Sequence, residues 1–517
     1  MSLWNKIKRL LIQEMTERLS WAFMAYTGGI LGYYFFEKGI NFSLLIGLIC
    51  GTAVLWFLTR KREFLSWLSM CTFFFLLGLI NITGHIVNNQ HPVLSHPLYQ
   101  EHIEATVFEN RSLVERQIVI LDKIHWQNPD LKMPTRIRVY YNEKTPLLKK
   151  HDKIKAIVSV YPPEGVGAQN LWFQKIGATG IANNIKIIDS TQRESISFSE
   201  IRNNINQRLF QILPSSQAEI AAPLITGEQK LVTHETYQIY RRAGIAHVLS
   251  VSGFHMALLA TFLFFVVRGF CAFFPRIVLY YNTKKISTVI ALIGTFLYLG
   301  ISGFQIPAIR AFIMITFVFL GILIDRSVLS MRSLILAGMG MLLLMPQMLF
   351  SVSFQLSFTA VAVLIMSYNF IQNQSWTHFK KVCIGFLLLN ICVTFALMPF
   401  ILYHFHQITP YSILGNMIFS GVFSLFIMPL LFVGALMMFW GLDKLFFISA
   451  GFGLDIVRYG IQKIANFPYA EIATTDFSPL CLIFISFGIM LLCLMKTRLK
   501  AVGLGFVALG ILLGIIS

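Results

Sequence analysis

Long apolar runs separated by short polar breaks dominate this chain. Three runs come first, at 21–36, 40–58 and 64–86. A mixed region follows from 87 to 243, and apolar runs then recur at 251–275, 286–306, 308–324, 333–350, 355–371, 382–403, 411–441, 478–495 and 501–517. A bilayer needs about 20 apolar residues per helical crossing, so most of these runs predict membrane helices. Between 87 and 243 the pattern changes. Short β-rich runs at 103–108, 117–121, 136–141, 155–160 and 182–188 are separated by turn residues such as Asn128-Pro129-Asp130 and Pro162-Pro163-Glu164-Gly165. About five strands at this spacing predict a small β-barrel. From 198 to 213 and 218 to 226 the pattern is helical, with Pro214-Ser215-Ser216 between the pieces. Four parts result: a three-helix membrane region at 1–86, a β domain at 87–190, a helical connector at 191–243 and a polytopic membrane domain at 244–517.

Composition agrees. The chain is 56% hydrophobic and only 13% charged, too apolar for a soluble protein of this length. The net charge of +18 bears on orientation before it bears on any partner. Lys6, Lys8, Arg9 and Arg18 precede the first run, and Arg60, Lys61 and Arg62 follow the second. Arg268, Arg276, Lys284 and Lys285 form the next cluster, then Arg326 and Arg332, then Lys380 and Lys381. Positive residues collect on the cytoplasmic side. The N-terminus is therefore expected inside, and the region 87–243 outside, in the periplasm of a bacterium with two membranes.

One stretch breaks the count. The run ending near Phe405 should finish outside, and Lys496, Arg498 and Lys500 should be inside. The stretch 411–441 must then cross an even number of times, yet two full spans need about 40 residues. A broken or re-entrant hairpin near Asn416, Gly421 or Pro429 is predicted, which implies a protein-lined or wet cavity. The following stretch, 446–467, is predicted to be an external amphipathic helix with Asp455, Arg458 and Lys463 on its polar side.

Chemistry concentrates in one apolar setting. The stretch 244–255 reads Gly-Ile-Ala-His-Val-Leu-Ser-Val-Ser-Gly-Phe-His. Its polar groups are costly in lipid unless partnered or wet, so it is the first place to look for function. On a helix, His247, Ser250 and His255 share one side. They either line a conduit or hydrogen-bond neighbouring helices, with Gly253 allowing close packing. A serine hydrolase is a weak rival, because the flanking glycine positions of a nucleophile elbow at Ser252 hold Ser250 and Phe254. Arg310 follows Pro307 at the external end of a run, as an anchor or as an attractor of phosphate. Ser351, Ser353, Gln355, Ser357 and Thr359 alternate, which points to a buried, non-lipid position. In the β domain Lys132, Arg136, Arg138, Lys144, Lys149, Lys150, Lys153 and Lys155 lie close together, near Tyr140, Tyr141, Tyr161, Trp172 and Phe173. Basic grooves with stacking aromatics hold single strands, and a solvated surface over an aromatic core reads equally well. The seven cysteines lie in or beside apolar runs with no CxxC pair and read as packing residues. His404-Phe405-His406 has no acidic or thiol partner near it in sequence, so no metal and no cofactor are expected. There is no Gly-Lys dipeptide and hence no Walker A loop. Energy for transport would come from a partner or a gradient.

Several of these elements, in order, resemble the ComEC-type competence proteins, the inner-membrane DNA-uptake channel family. Arg242-Ala243-Gly244, His247 and Ser252-Gly253-Phe254-His255 match its hallmark. Leu224-Ile225-Thr226-Gly227-Glu228 is similar to its Leu/Thr-Gly-acidic element. Pro307-Ala308-Ile309-Arg310-Ala311 and Phe354-Gln355-Leu356-Ser357-Phe358 are similar to two further motifs. The N-terminal plan, including Gly167-Ala-Gln-Asn-Leu-Trp172 and Gly180-Ile181, looks like the family's N-terminal region. The fold expected is thus a polytopic α-helical membrane protein with an inserted small, OB-like β-barrel outside. The function implied is an inner-membrane channel that takes up single-stranded transforming DNA and is not an enzyme. Glu228, Arg242, His247, Ser250, Ser252, Gly253, His255, Arg310, Gln355 and Ser357 are the conduit candidates. Arg136, Arg138, Lys149, Lys150, Lys153, Lys155 and Trp172 are the external strand-binding candidates. The implied partners are single-stranded DNA, an external DNA receptor, a cytoplasmic helicase-like translocase and the bilayer, with homo-oligomerisation left open. Many family members also carry a C-terminal metallo-β-lactamase-like domain. This sequence holds no His-x-His-x-Asp-His, so a short form is expected and a nuclease role is not implied. The alternative is a small-solute secondary transporter with a broken-helix site. Such transporters usually show paired repeats, and none is evident here.

Overall fold

A computed structural model describes residues 15, 17–33, 42–112, 117–126, 133–141, 148, 151–163, 171–172, 174–189, 198–325, 330–474, 478–495, 497 and 500–516. Three apolar helices open it: α1 (Arg18–Gly32), α2 (Phe42–Leu58) and α3 (Glu63–Asn88). Helices α1 and α3 cross at backbone contact. A Cβ on Gly29 would lie 1.9 Å from the Phe75 carbonyl oxygen, and one on Gly78 would lie 2.1 Å from that of Tyr26. Lipid offers little hydrophobic drive for helix pairing, so close packing at small residues supplies it.

Five strands follow: β1 (Leu98–Ser112), β2 (Gln117–Trp126), β3 (Arg136–Tyr141), β4 (Lys153–Tyr161) and β5 (Ala178–Asp189). They close into a barrel in the order β1-β2-β3-β5-β4. The pairing of β3 with β5 is parallel and the other pairings are antiparallel. Alternation in β3 and β4 turns Ile137, Val139, Ile154, Ala156, Val158 and Val160 into the core. Register shifts in β1 after Glu104 and after Val107 bend that strand, so one long strand serves both β2 and β4. All five predicted runs are strands, most of them longer than the alternation alone marks.

The connector is α4 (Phe198–Ile212), α5 (Ser215–Thr226) and α6 (His234–Arg242). Then come α7 (Gly253–Ala272), α8 (Pro275–Tyr280), α9 (Thr283–Ile301), α10 (Ile306–Leu323), α11 (Met331–Leu344), α12 (Val352–Gln372) and α13 (His378–Phe405). Among the described residues six helices are long and apolar enough to cross a membrane, with shorter apolar helices beside them. This is a polytopic helical membrane protein. The N-terminal helices dock on its second half where the Tyr26 hydroxyl donates to the Leu342 carbonyl at 3.1 Å. Asn81 Nδ2 donates to Tyr26 Oη at 2.6 Å and to the Leu342 carbonyl at 3.0 Å.

The hairpin predicted inside 411–441 is absent. Helix α14 (Ser412–Val422), a π-turn at 423–427 and α15 (Met428–Met437) belong to one 29-residue helix, Ser412–Trp440. None of Asn416, Gly421 and Pro429 breaks it. Pro429 lacks an N–H, and the wide turn just before it absorbs that defect: Met428 N–H bonds back to Phe423, five residues earlier. The stretch 411–441 therefore holds one long helix in place of an even number of crossings. Helix α16 (Asp443–Ala465) folds back along this span. Strand β6 (Gln407–Ile408) then pairs with β7 (Ile472–Ala473), and Tyr411 packs on Phe467 at 5.2 Å. The chain thus enters and leaves the excursion at one place, and the amphipathic helix is its second arm.

The polar side of α16 is put to use. Asp443, 1% exposed, accepts bonds from Arg208 Nε and Nη2 at 2.8 and 3.3 Å. Asp455 accepts from Gln217 at 2.7 Å. Its apolar side (Phe447, Ala450, Leu454, Val457, Ile461) shares one core with Leu209, Leu224, Tyr240, Phe423 and Leu431. The connector is therefore welded to the 412–465 hairpin. Helices α17 (Pro479–Leu494) and α18 (Lys500–Ile516) close the description, meeting where Gly488 faces Gly503.

Candidate functional site

The Thr226-Gly227-Glu228 element forms a polar junction. Gly227, at φ +75°, ends α5, and its carbonyl accepts from Gln305 Nε2 at 2.6 Å. Glu228 accepts from Asn206 Nδ2 at 2.8 Å and lies 3.7 Å from Arg202 and 3.8 Å from Lys230. Thr226 Oγ1 donates to Asn206 Oδ1 at 3.0 Å, and Arg202 Nε donates to the Ile301 carbonyl at 3.0 Å. Burial pulls the Arg202 guanidinium below its ordinary pKa, and the Glu228 carboxylate partly restores it. Glu228 thus holds α4 and α5 against the turn between α9 and α10. Sequence reasoning found Glu228 but missed Arg202 and Asn206. Their i, i+4 spacing on an amphipathic helix was the available signal. Glu228→Gln should lower stability by about 2 kcal/mol, because a half-buried guanidinium loses its counter-charge. Thermal unfolding in detergent measures this. The Arg202→Met, Glu228→Gln double variant should recover part of the loss, since removing both partners strands neither.

The stretch 244–255 is not one helix. A short 3₁₀ turn spans 246–249, residues 250–252 are extended, and α7 starts at Gly253. The single helical face expected for His247, Ser250 and His255 does not exist; a turn brings them together instead. The physical reason lies in Ser252, an N-cap residue type that opens a new helix. Its N–H donates to His255 Nδ1 at 3.1 Å. His255 is fully buried, and its Nε2 has no protein acceptor. His247 is exposed. It lies close enough to His255 to couple with it electrostatically. Ser250 Oγ donates to the His247 carbonyl at 3.2 Å. A Cβ on Gly253 would meet Ala311 Cβ at 3.6 Å, so the start of α7 packs on the Pro307–Ala311 motif. Arg310, 4% exposed, is buried in that motif.

Arg242 is exposed. Its neighbour Arg241, which the sequence reading passed over, donates to Gln407 Oε1 at 2.7 Å and to Glu471 Oε1 at 2.5 Å. It ties the connector to the closure of the hairpin. Gln355 donates to the Leu349 carbonyl at 3.1 Å, and its Oε1 lies 3.0 Å from His404 Nε2. His404 is thereby occupied as an interhelical partner. Ser351 caps α12, and Ser357 is half-buried on it. Period-two polarity here coexists with a helix because the polar residues sit on several sides of it. Two polar groups result. His247, Ser250, Ser252, Gly253, His255 and Arg310 gather where α7 meets α10. Gln355 and His404 form a second group, separate from the Arg241–Gln407 pair.

On the barrel the described basic residues already have neighbours. Arg136 lies 2.6 Å from Asp122 and 3.9 Å over the Phe108 ring. Partial burial raises the Asp122 carboxyl, but the Arg136 bond and charge hold it below its usual range. Arg138 pairs with Tyr140. Lys155 lies 2.7 Å from Glu104 and Lys153 lies 4.0 Å from Asp189. Trp172 sits 5.4 Å from the His91 ring. Lys149 and Lys150 fall outside the described residues. The exposed lysine pairs add little to stability.

A family model described as Competence protein matches residues 224–499. The chain is 26% identical over 284 residues to ComE operon protein 3 of Bacillus subtilis, covering 54% of this chain and 34% of that one. It is 24% identical over 272 residues to Recombination protein 2 of Haemophilus influenzae, covering 50% and 33%. The aligned stretch spans about a third of the length of these relatives. No solved structure matches.

Proposed function

We propose, from the premise that this chain belongs to the competence protein family, that it is an inner-membrane channel carrying single-stranded transforming DNA into the cytoplasm. The observation that carries the reading is the polar group at the junction of α7 and α10. An accessible His247 and a buried, half-satisfied His255 sit at the ends of helices that are otherwise apolar. Lipid does not tolerate such groups, and a wet passage does.

The barrel would capture the strand first. Its order, with β3 parallel to β5, supports the OB-like reading, and Arg136, Arg138 and Tyr140 share one outer face of β3. The connector, fixed by Glu228 and Arg241, would hold the barrel over the passage. Basic groups offset phosphate charge, and polar linings replace water. No bond need be made or broken. An external receptor would deliver the strand, and a cytoplasmic helicase-like translocase would pull it. The small-solute alternative loses its main support, because the discontinuous helix on which it depends is continuous through 412–440.

Uptake of labelled single-stranded DNA in a deletion strain, with and without this chain, tests the proposal. Internal label should appear only with the chain. Equal uptake in both strains would overturn it, as would import of a small solute in place of DNA.

A further inference from the structure

We propose that the turn joining α7 to α9, with Arg268, Arg276 and Lys284, is a binding surface for anionic phospholipid. Its depth in the membrane follows from helix length. Helix α7 has 20 residues and α9 has 19. At a rise of about 1.5 Å per residue each is about 30 Å long, the thickness of the hydrocarbon core. The two helices pack together with Leu263 against Gly294, where a Cβ would lie 2.4 Å from Leu263 Cδ1. Counting outward along both helices from that contact sets Lys285 beside Ala272. Residues 273–282 therefore lie at the level of the lipid headgroups.

This turn is apolar and bare. Phe273 is 83% exposed and Tyr280 82%, with Phe270, Leu279 and Tyr281 also exposed beside them. Phe270 and Phe274 pack ring to ring at 5.2 Å. Helix α8 has six residues, far too few to cross a bilayer, so it stays at headgroup level. Water opposes so many uncovered rings in one turn, whereas aromatic side chains collect where hydrocarbon meets headgroups.

The field there selects an anion. Arg268, Arg276, Lys284 and Lys285 flank the turn, and from Thr236 to Ile324 the sequence contains no Asp or Glu. Asp325, just past the end of α10, lies 2.9 Å from Lys285 and also feels Lys284. Among the described residues neither Arg268 nor Arg276 makes an ion pair, and both are exposed. Arg268 sits one turn inside the end of α7, where a long side chain reaches the headgroups while its stem stays in hydrocarbon. Basic loops also set orientation; the bare rings beside these cations add a seat for acyl chains. An anionic diacyl lipid meets both demands at once, its phosphate on the guanidinium groups and its chains on the rings. A nucleic acid has the phosphates but no chains to cover Leu279. The surface would serve a channel and a transporter alike.

Energy transfer from tryptophan to pyrene-labelled phosphatidylglycerol or phosphatidylcholine, on the full chain in neutral detergent, reads the affinity for each lipid. Phosphatidylglycerol should bind about tenfold more tightly, since each cation near an anionic headgroup adds about fivefold. Arg268→Gln with Arg276→Gln should cut that preference to about twofold and leave phosphatidylcholine binding unchanged. Phe273→Ser with Leu279→Ser should weaken both lipids alike, about tenfold. Arg60→Gln with Arg62→Gln, at a different basic turn, should keep the preference. All six side chains are exposed, so each double variant should keep the parent's gel-filtration profile. The surface is overturned if the parent binds the two lipids equally, or if the Arg268, Arg276 variant retains the preference. It is overturned too if the Arg60, Arg62 variant loses the preference as fully, which would mean diffuse surface charge only. Displacement of the labelled lipid by a single-stranded oligonucleotide would assign the turn to nucleic acid and remove the lipid.

Discussion

Gly244→Val should leave little folded protein in the membrane. Gly244 sits at φ +75°, where a β-branched residue is strained by about 1–2 kcal/mol. A Cβ there would lie 2.4 Å from Ser412 Cβ, 2.8 Å from Ser412 Cα and 2.9 Å from Thr409 Oγ1. Overpacking adds about 1–3 kcal/mol, so a total near 4 kcal/mol is expected. The loss falls where the connector meets the start of the 412–440 helix, upstream of His247. Fluorescence-detected gel filtration and the thermal midpoint measure it. Ser412→Gly should rescue the variant only in part, because the Cα and the Thr409 hydroxyl remain in the way. A monodisperse Gly244→Val protein with the parent's midpoint would show that this contact does not govern folding.

Gly78→Leu should part the N-terminal helices from the rest. The contact of Gly78 is with backbone, 2.1 Å from the Tyr26 carbonyl oxygen, so no side chain can swing aside. Helix α1 must move, and the Tyr26–Leu342 and Asn81–Leu342 bonds go with it. A cost of about 3 kcal/mol follows from overpacking. Asn81→Leu removes only hydrogen bonds and should cost about 1 kcal/mol, the usual size for interhelical bonds in membranes. Thermal unfolding of the two variants distinguishes them. Equal midpoints would mean that the crossing itself contributes nothing.

Much of the candidate site was legible. Glycine, serine and histidine inside apolar sequence marked 244–255 because lipid penalises them. Gln355 was visible for the same reason, and Glu228 through the resemblance of its Leu/Thr-Gly-acidic element. Arg202, Asn206 and Arg241 were not, because an ordinary amphipathic helix carries such residues on its wet side. Only their partners Glu228, Ile301 and Glu471, far along the chain, gave them a role. The basic run on the barrel was legible, but its acidic neighbours were not. Its acids, Asp122, Glu104 and Asp189, are distant in sequence and adjacent across strands.

The sequence by itself determined the membrane class, the five strands and the connector helices. These follow from local period, hydrophobic length and charge, which need no knowledge of neighbours. Tertiary structure decided the rest. A proline read as a break was absorbed by a wide turn in a packed helix, and an amphipathic helix became the return arm because its apolar face found the connector. His247 and His255 met through a turn that opens at Ser252. Each outcome depended on which surfaces came into contact, and residue order alone does not encode that.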